Sequence, residues 1–322
     1  MSSPGIASPA TGSVPAASER RSGLFYVVAT YLMWGGLPLY FGLLTRSSPF
    51  EIVAGRVLFS LVFCLLLVSL TRQWRNLLGF LRKPKTLGMV GIAAGLIAVN
   101  WLLYVIATTT GHTLDASFGY FINPLVAVGL GVIFLGERLR RLQWVAIAVA
   151  GLAVLMMSVL YGRVPWLGLG LAFSFGFYGL VKSKVAAGMK PVISLTLETI
   201  VLAPFALVFE VWLMTATDKA TLLTQGTGYF WLLAASGVIT AVPLLTFGAA
   251  AARLPLSLIG MIQYMTPTIQ FMIAIFMLGE TLTPERWIGF VLIWVACLIF
   301  AFDTYRAARL QRRAALSIRS RS

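Results

Sequence analysis

Apolar residues in this chain come in long continuous runs rather than in short alternating stretches. Ten runs stand out, at 23–44, 49–70, 86–108, 114–135, 142–161, 165–183, 192–214, 228–251, 256–279 and 286–304. Most approach the roughly 20 apolar residues a helix needs to cross a hydrocarbon core. A membrane β-barrel would instead alternate apolar and polar positions over segments of about ten residues. The pattern predicts an all-α polytopic membrane protein of ten transmembrane helices. Residues 1–22 are rich in Ser, Pro, Ala and Gly without an apolar period, which predicts a disordered tail. Residues 305–322 form a basic tail.

Composition supports lipid as the solvent. Hydrophobic residues make up 59% and charged residues 11%, against about 45–50% and about 25% in soluble domains. The net charge of +15 raises the question of nucleic acid, and the placement of the charges excludes it: basic residues sit in short loops and tails between apolar runs, as topology signals do. With the N-terminus placed inside, inside segments hold 20 Lys and Arg, outside segments hold Arg46, Arg163, Lys219 and Arg286, and Arg56 falls within a run. This asymmetry puts both ends in the cytoplasm and favours an even number of spans. Cys64 and Cys297 lie inside apolar runs and read as packing residues. No cofactor or metal site is expected. The first run is too long for a cleavable signal peptide, and no small-residue cleavage site follows it.

The two halves repeat. Leu135-Gly136-Glu137 recurs as Leu278-Gly279-Glu280, Pro124 as Pro267 and Trp144 as Trp287, all at an offset of 143. Pro49 matches Pro191, and Gly95 matches Gly237, at 142. Five spans per unit is odd, so the second unit must enter the membrane upside down. The loops agree: residues 135–141 are basic, whereas 278–286 carry Arg286 against Glu280 and Glu285. Inverted repeats are a common build for secondary transporters, with a substrate site near the midplane.

Several segments carry a family resemblance: Tyr31-Leu-Met-Trp34-Gly, Pro38-Leu-Tyr40, Asn100-Trp101-Leu-Leu-Tyr104, Gly119-Tyr-Phe-Ile-Asn-Pro124-Leu, Thr196-Leu-Glu198-Thr, Thr240-Ala-Val-Pro243-Leu-Leu, and Gln263-Tyr264 through Gln270-Phe. In combination they resemble the RarD family of EamA-type transporters in the drug/metabolite transporter superfamily, over roughly residues 23–304. The resemblance implies two inverted five-helix EamA-like repeats, at 23–161 and 165–304, in a bacterial cytoplasmic membrane. The family pattern has His where this chain has Gly55, and Glu where it has Asp115.

Ionisable groups inside a bilayer cost roughly 2.5–3.5 kcal/mol on insertion scales and often mark a pathway. Arg56 lies seven residues after Pro49, and Glu198 seven after Pro191, at repeat-equivalent positions of opposite charge. Each is roughly 10 Å below its own surface, at about 1.5 Å per residue. Because the surfaces are opposite, direct contact between them is not expected. Arg56 is a candidate for orienting an anionic or polar substrate group, and Glu198 for a cationic group or a coupling proton. Polar faces on other helices are candidate cavity lining: Asn100 with Tyr104, Tyr120 with Asn123, and Gln263 with Thr266 and Gln270. Pro124, Pro243 and Pro267 are candidate helix breaks that free backbone carbonyls. Trp144, Trp166 and Trp287 read as interfacial anchors. Glu51 and Glu210, near outer span ends, read as solvated, and Lys182 and Lys184 as snorkelling.

The expected partners are a small-molecule substrate and the lipid bilayer, with the oligomeric state open. A channel or a non-transporting scaffold is the alternative. An intramembrane enzyme is disfavoured: the single histidine, His112, sits in a short loop, and no Walker-type loop is present.

Overall fold

The structure, a computed structural model, describes residues 17–319 apart from 137–138, 161, 163, 186–188, 252, 255–258 and 260–261. Of the expected disordered tail at 1–22, residues 1–16 lie outside the described residues, as does the Glu137-Arg138 part of the repeated motif, whereas residues 17–22 are helical. Every regular element among the described residues is a helix: α1 (Ala17–Gly35), α2 (Leu37–Gly42), α3 (Pro49–Leu70), α4 (Trp74–Leu81), α5 (Pro84–Thr109), α6 (Thr113–Leu135), α7 (Arg141–Leu160), α8 (Trp166–Val185), α9 (Pro191–Ala216), α10 (Thr227–Ala251), α11 (Met265–Phe276) and α12 (Pro284–Arg319).

Local chemistry sets several boundaries. Proline opens α3, α5, α9 and α12, where its missing N–H would have had no partner in any case. Ser48 caps α3 by accepting from the Glu51 N–H at 3.2 Å. α6 ends at Gly136, whose φ of +67° is the left-handed conformation that closes many helices. The first apolar run is divided: α1 stops at Gly35, and Pro38 lies in the first turn of α2, where it cannot donate to the preceding turn.

Eight described helices are long and apolar enough to cross a membrane. They correspond to eight of the ten expected runs. The sixth and ninth runs instead yield the shorter apolar helices Trp166–Lys182 and Met265–Phe276. Lys182 ends the apolar part of the sixth, and the ninth includes undescribed positions before residue 262. Two elements differ from expectation. Residues 74–81 form a short helix with Leu77 buried and Trp74 and Leu78 exposed. α12 also runs past residue 304 into the basic segment, whose Ala, Arg, Leu and Gln are good helix formers. Helix α6 continues through Pro124 and α10 through Pro243, so neither proline ends its element. Pro267 sits in the first turn of α11 rather than inside a longer helix.

The main packings pair α6 with α8 and α11, α7 with α12, α3 with α9 and α10, α5 with α8 and α9, and α1 with α10 and α11. One core joins α6, α7, α11 and α12 through Phe118, Phe121, Met157, Phe271, Phe290 and Ile293. A second gathers Leu37, Phe41, Ile52, Tyr104, Leu171 and Leu233 from five helices. Lipid tails are as apolar as these side chains, so packing rather than water exclusion holds such helices together. Close approach depends on glycine: a Cβ on Gly119 would overlap the Gly168 backbone of α8, and one on Gly237 would overlap the Phe59 backbone of α3. Large apolar side chains such as Val62, Phe205, Trp231 and Leu298 cover the outside, as a multi-pass membrane protein requires.

Candidate functional site

Arg56, on the second turn of α3, is buried at 5% exposure. Its Nε donates to Thr240 Oγ1 on α10 at 2.6 Å. Its guanidinium carbon lies 4.3 Å from the ring centroid of Trp101 on α5 and 5.5 Å from that of Phe41 on α2. A desolvated cation–π contact of this kind is worth about 2 kcal/mol. The guanidinium Nη1 has no hydrogen-bond partner, and among the described residues the ion pairs are Arg140–Asp303, Lys182–Glu198 and Arg286–Asp115. The charge is therefore cradled by rings and one hydroxyl, with no carboxylate beside it.

The aromatic cradle extends from there. The Tyr104 ring packs 5.9 Å from Phe41 and 5.5 Å from Tyr120. Gln270, on α11, donates from Nε2 to Tyr104 Oη at 2.9 Å and to the Trp34 carbonyl at 3.1 Å, while its Oε1 has no partner. The structure thus brings Arg56, Tyr104, Tyr120 and Gln270 into one neighbourhood, joined across the two halves of the chain. Sequence reasoning passed over the partners Phe41, Trp101 and Thr240. The motif Asn100-Trp101-Leu-Leu-Tyr104 carried a signal for Trp101, but Thr240 is indistinguishable from an ordinary helix threonine.

The other candidates lie in different settings. Asn100 donates to the Leu171 carbonyl and to Ser174 Oγ, both at 3.0 Å, and so ties α5 to α8. Thr266 donates to the Tyr31 carbonyl at 3.2 Å and ties α11 to α1. Asn123 is buried on α6, and its Oδ1 has no partner. Gln263 is half-buried just before α11.

Glu198 does not meet Arg56. It is 3% exposed at the side chain and pairs with Lys182 Nζ of α8 at 2.5 Å. Tyr178 Oη donates to its other oxygen at 3.3 Å, and Lys182 also donates to Tyr178 Oη at 2.6 Å. Lys182 therefore does not snorkel: a buried carboxylate within reach holds it in place. The Lys184 side chain lies outside the described residues.

Glu51 and Glu210 are also corrected. Both are buried, at 1% and 3% exposure, because the faces they occupy turn inward despite lying near helix ends. Glu51 Oε1 accepts from the backbone N–H groups of Thr221 and Leu222 at 2.6 and 2.9 Å. Glu280 does the same for Thr113 and Leu114 at the start of α6, at 2.6 and 2.9 Å, where a carboxylate also suits the helix dipole. Ser47 Oγ bonds the hydroxyls of Thr221 and, at 2.8 Å, Tyr229. Elsewhere, Asp115 meets Arg286 at 3.2 Å, and Asp303, within α12, meets Arg140 at 2.6 Å. Trp144, Trp166 and Trp287 are exposed at the starts of α7, α8 and α12.

Comparison with known proteins places this geometry in context. The profile of the EamA-like transporter family matches twice, at residues 21–159 and 163–302. Protein RarD of Streptomyces exfoliatus is 46% identical over 297 residues, covering 92% of this chain and 93% of that protein. An uncharacterized transporter of Vibrio cholerae is 40% identical over 301 residues, covering 93% and 98%. A solved crystal structure at 16% identity superposes with a TM-score of 0.58 over 89% of this chain and 99% of that one, which establishes a shared fold.

Proposed function

This chain belongs to the EamA-like transporter family, and from that premise we propose that it is a secondary transporter moving a small metabolite or drug-like molecule across a bacterial cytoplasmic membrane. Its working parts are two five-span units, at 23–161 and 165–304, inserted upside down relative to one another, with both termini cytoplasmic. Alternating access exchanges their conformations around a shared central site.

The helix packing supports this arrangement. Exchanging α1 with α8, α3 with α9, α5 with α10, α6 with α11 and α7 with α12 turns α6–α8 into α11–α1. It likewise turns α5–α8 into α10–α1 and α3–α10 into α9–α5, while α3–α9, α6–α11 and α7–α12 map onto themselves. All of these packings are present. An odd number of spans per unit then makes the relation an inversion.

The observation that carries the functional reading is the joining of Arg56 to Thr240 and of Tyr104 to Gln270. Both links run between the units, are buried, and leave Arg56 Nη1 and Gln270 Oε1 unused. A scaffold gains nothing from leaving such groups without partners. Arg56, Tyr104, Tyr120 and Gln270 form the centre of the substrate site, with Asn123 and Gln263 on neighbouring faces. Asn100 and Thr266 position the helices that line it. Glu198 is the coupling candidate: a proton taken from the cytoplasm would break its ion pair and free Lys182, linking proton movement to the α8–α9 contact.

The test is transport by the full chain in proteoliposomes, over a panel of amino acids, organic acids and phenicol-type drugs at two pH values. The expected result is saturable uptake accelerated by unlabelled substrate on the far side, with Glu198→Gln removing the pH dependence. Unsaturable flux without counterflow would make the protein a channel, and no flux for any solute would leave a scaffold.

A further inference from the structure

Resting on the carrier reading above, we propose that the Arg56 cluster binds an organic monoanion, specifically a carboxylate carried on a flat apolar body. Arg56 is the sole cation among the buried polar side chains of the described residues. A guanidinium does not escape burial by losing its proton, and an unpaired buried ion is among the most costly groups in a protein. Thr240 accepts from Nε, and a hydroxyl supplies no compensating charge. The electrostatic balance of the cluster is completed by an anion from outside the chain.

The geometry narrows the anion. Trp101 lies against the guanidinium 4.3 Å away and Phe41 at 5.5 Å, so an incoming group meets the N–H edge, where Nη1 has no partner. Edge-on approach with parallel N–H donors is the fork that matches a carboxylate. Charge sets a second limit. A dianion needs a second cation, and the half-buried Lys182 is committed to Glu198 at 2.5 Å. A single negative charge is therefore preferred over phosphate or a dicarboxylate.

The walls set a third limit. Phe41, Tyr104 and Tyr120 present rings linked by contacts of 5.9 and 5.5 Å, Trp101 adds its face beside the guanidinium, and rings favour flat apolar partners through offset or edge-on stacking. A bare inorganic anion would leave those faces uncovered.

The experiment uses the full chain in lipid nanodiscs with benzoate, its neutral isostere benzamide, and the dianion terephthalate as probes. Binding is read by tryptophan fluorescence and thermal shift. Wild type should bind benzoate saturably, and at least about tenfold more tightly than benzamide, as loss of one charged hydrogen bond implies. Terephthalate should bind more weakly than benzoate. Arg56→Gln should erase the preference for benzoate over benzamide. Arg56→Lys, which keeps the charge but not the fork, should retain the preference at reduced affinity, and it decides the matter if Arg56→Gln fails to fold. Trp101→Phe should remove most of the fluorescence response. Equal affinity for benzoate and benzamide, or unchanged benzoate affinity in Arg56→Gln, overturns the assignment, as does wild type failing to bind benzoate, phenylacetate and hexanoate. Selective binding without counterflow in proteoliposomes would keep this site and remove the carrier reading. Counterflow of neutral solutes with no benzoate preference would do the reverse.

Discussion

Glu51 and Glu210 sit on helices α3 and α9, which pack together, and Phe50 and Phe209, the residues just before them, have ring centroids 6.2 Å apart. Glu51 accepts two backbone N–H bonds, whereas both Glu210 oxygens lack a partner. The consequences of removing them should therefore differ in sign. Glu51→Ala orphans two buried donors, at about 1–3 kcal/mol each, and should clearly lower the apparent melting temperature in detergent. Glu210→Leu removes a buried polar group that makes no bond and should leave that temperature unchanged or raise it. A drop with Glu210→Leu as large as with Glu51→Ala would mean that Glu210 has a partner in the working protein. The sequence shows that a carboxylate lies near a helix end but not which way it is rotated, so both residues read as solvated. Arg56 and Glu198 stand out from sequence because a charge inside an apolar run is anomalous in any orientation. Their partners Thr240 and Lys182 depend on contacts 184 and 16 residues away, which no local pattern encodes.

Helices reach this arrangement by crossing where side chains are smallest. Gly119 on α6 faces Gly168 on α8 so closely that a Cβ would overlap the opposing backbone. Backbone cannot rotate aside as a side-chain tip does. Gly119→Leu should therefore cost more than the about 1–3 kcal/mol typical of overpacking and reduce the folded yield in detergent. Gly179→Ala, on the same α8 but with open space at its Cβ position, should be neutral or slightly stabilising, since alanine is the better helix former. Equal losses from the two would show that the α6–α8 crossing tolerates separation. At this scale the sequence is most readable: continuous apolar runs locate the long helices, and Pro49, Pro84 and Pro191 mark three of their starts. What escapes is structure not built on run length. α4 is too short to register as a run, the Gly36–Pro38 break lies within a continuous run, and the helicity of the final basic segment comes from propensity rather than hydropathy.

Across the whole molecule, the 142–143-residue offset is readable because duplication leaves matched residues in order. The choice of neighbours is not: that α3 lies against both α9 and α10 is a contact across more than a hundred residues, and no local pattern encodes it. The proposed inverted arrangement makes the same prediction about sidedness as the Lys and Arg asymmetry. Cys64 and Cys297 are both buried and free, so replacing them with Ala gives a background for single-cysteine labelling. In that background Ser22→Cys and Tyr305→Cys should react with a membrane-impermeant maleimide only after the cytoplasmic face is opened. Thr110→Cys and Asp218→Cys should react from outside in intact cells. The pattern tests whether the spans before Thr110, between Thr110 and Asp218, and after Asp218 number odd, even and odd. An inverted pair needs an odd count in each unit and an even total, which leaves the two ends together. If Ser22→Cys and Tyr305→Cys labelled from opposite faces, one of the short helices α8 or α11 would fail to cross. The proposed exchange of α1 with α8 and α6 with α11 would then lose its geometric basis, and with it the proposal that the Arg56 cluster lies between two equivalent halves.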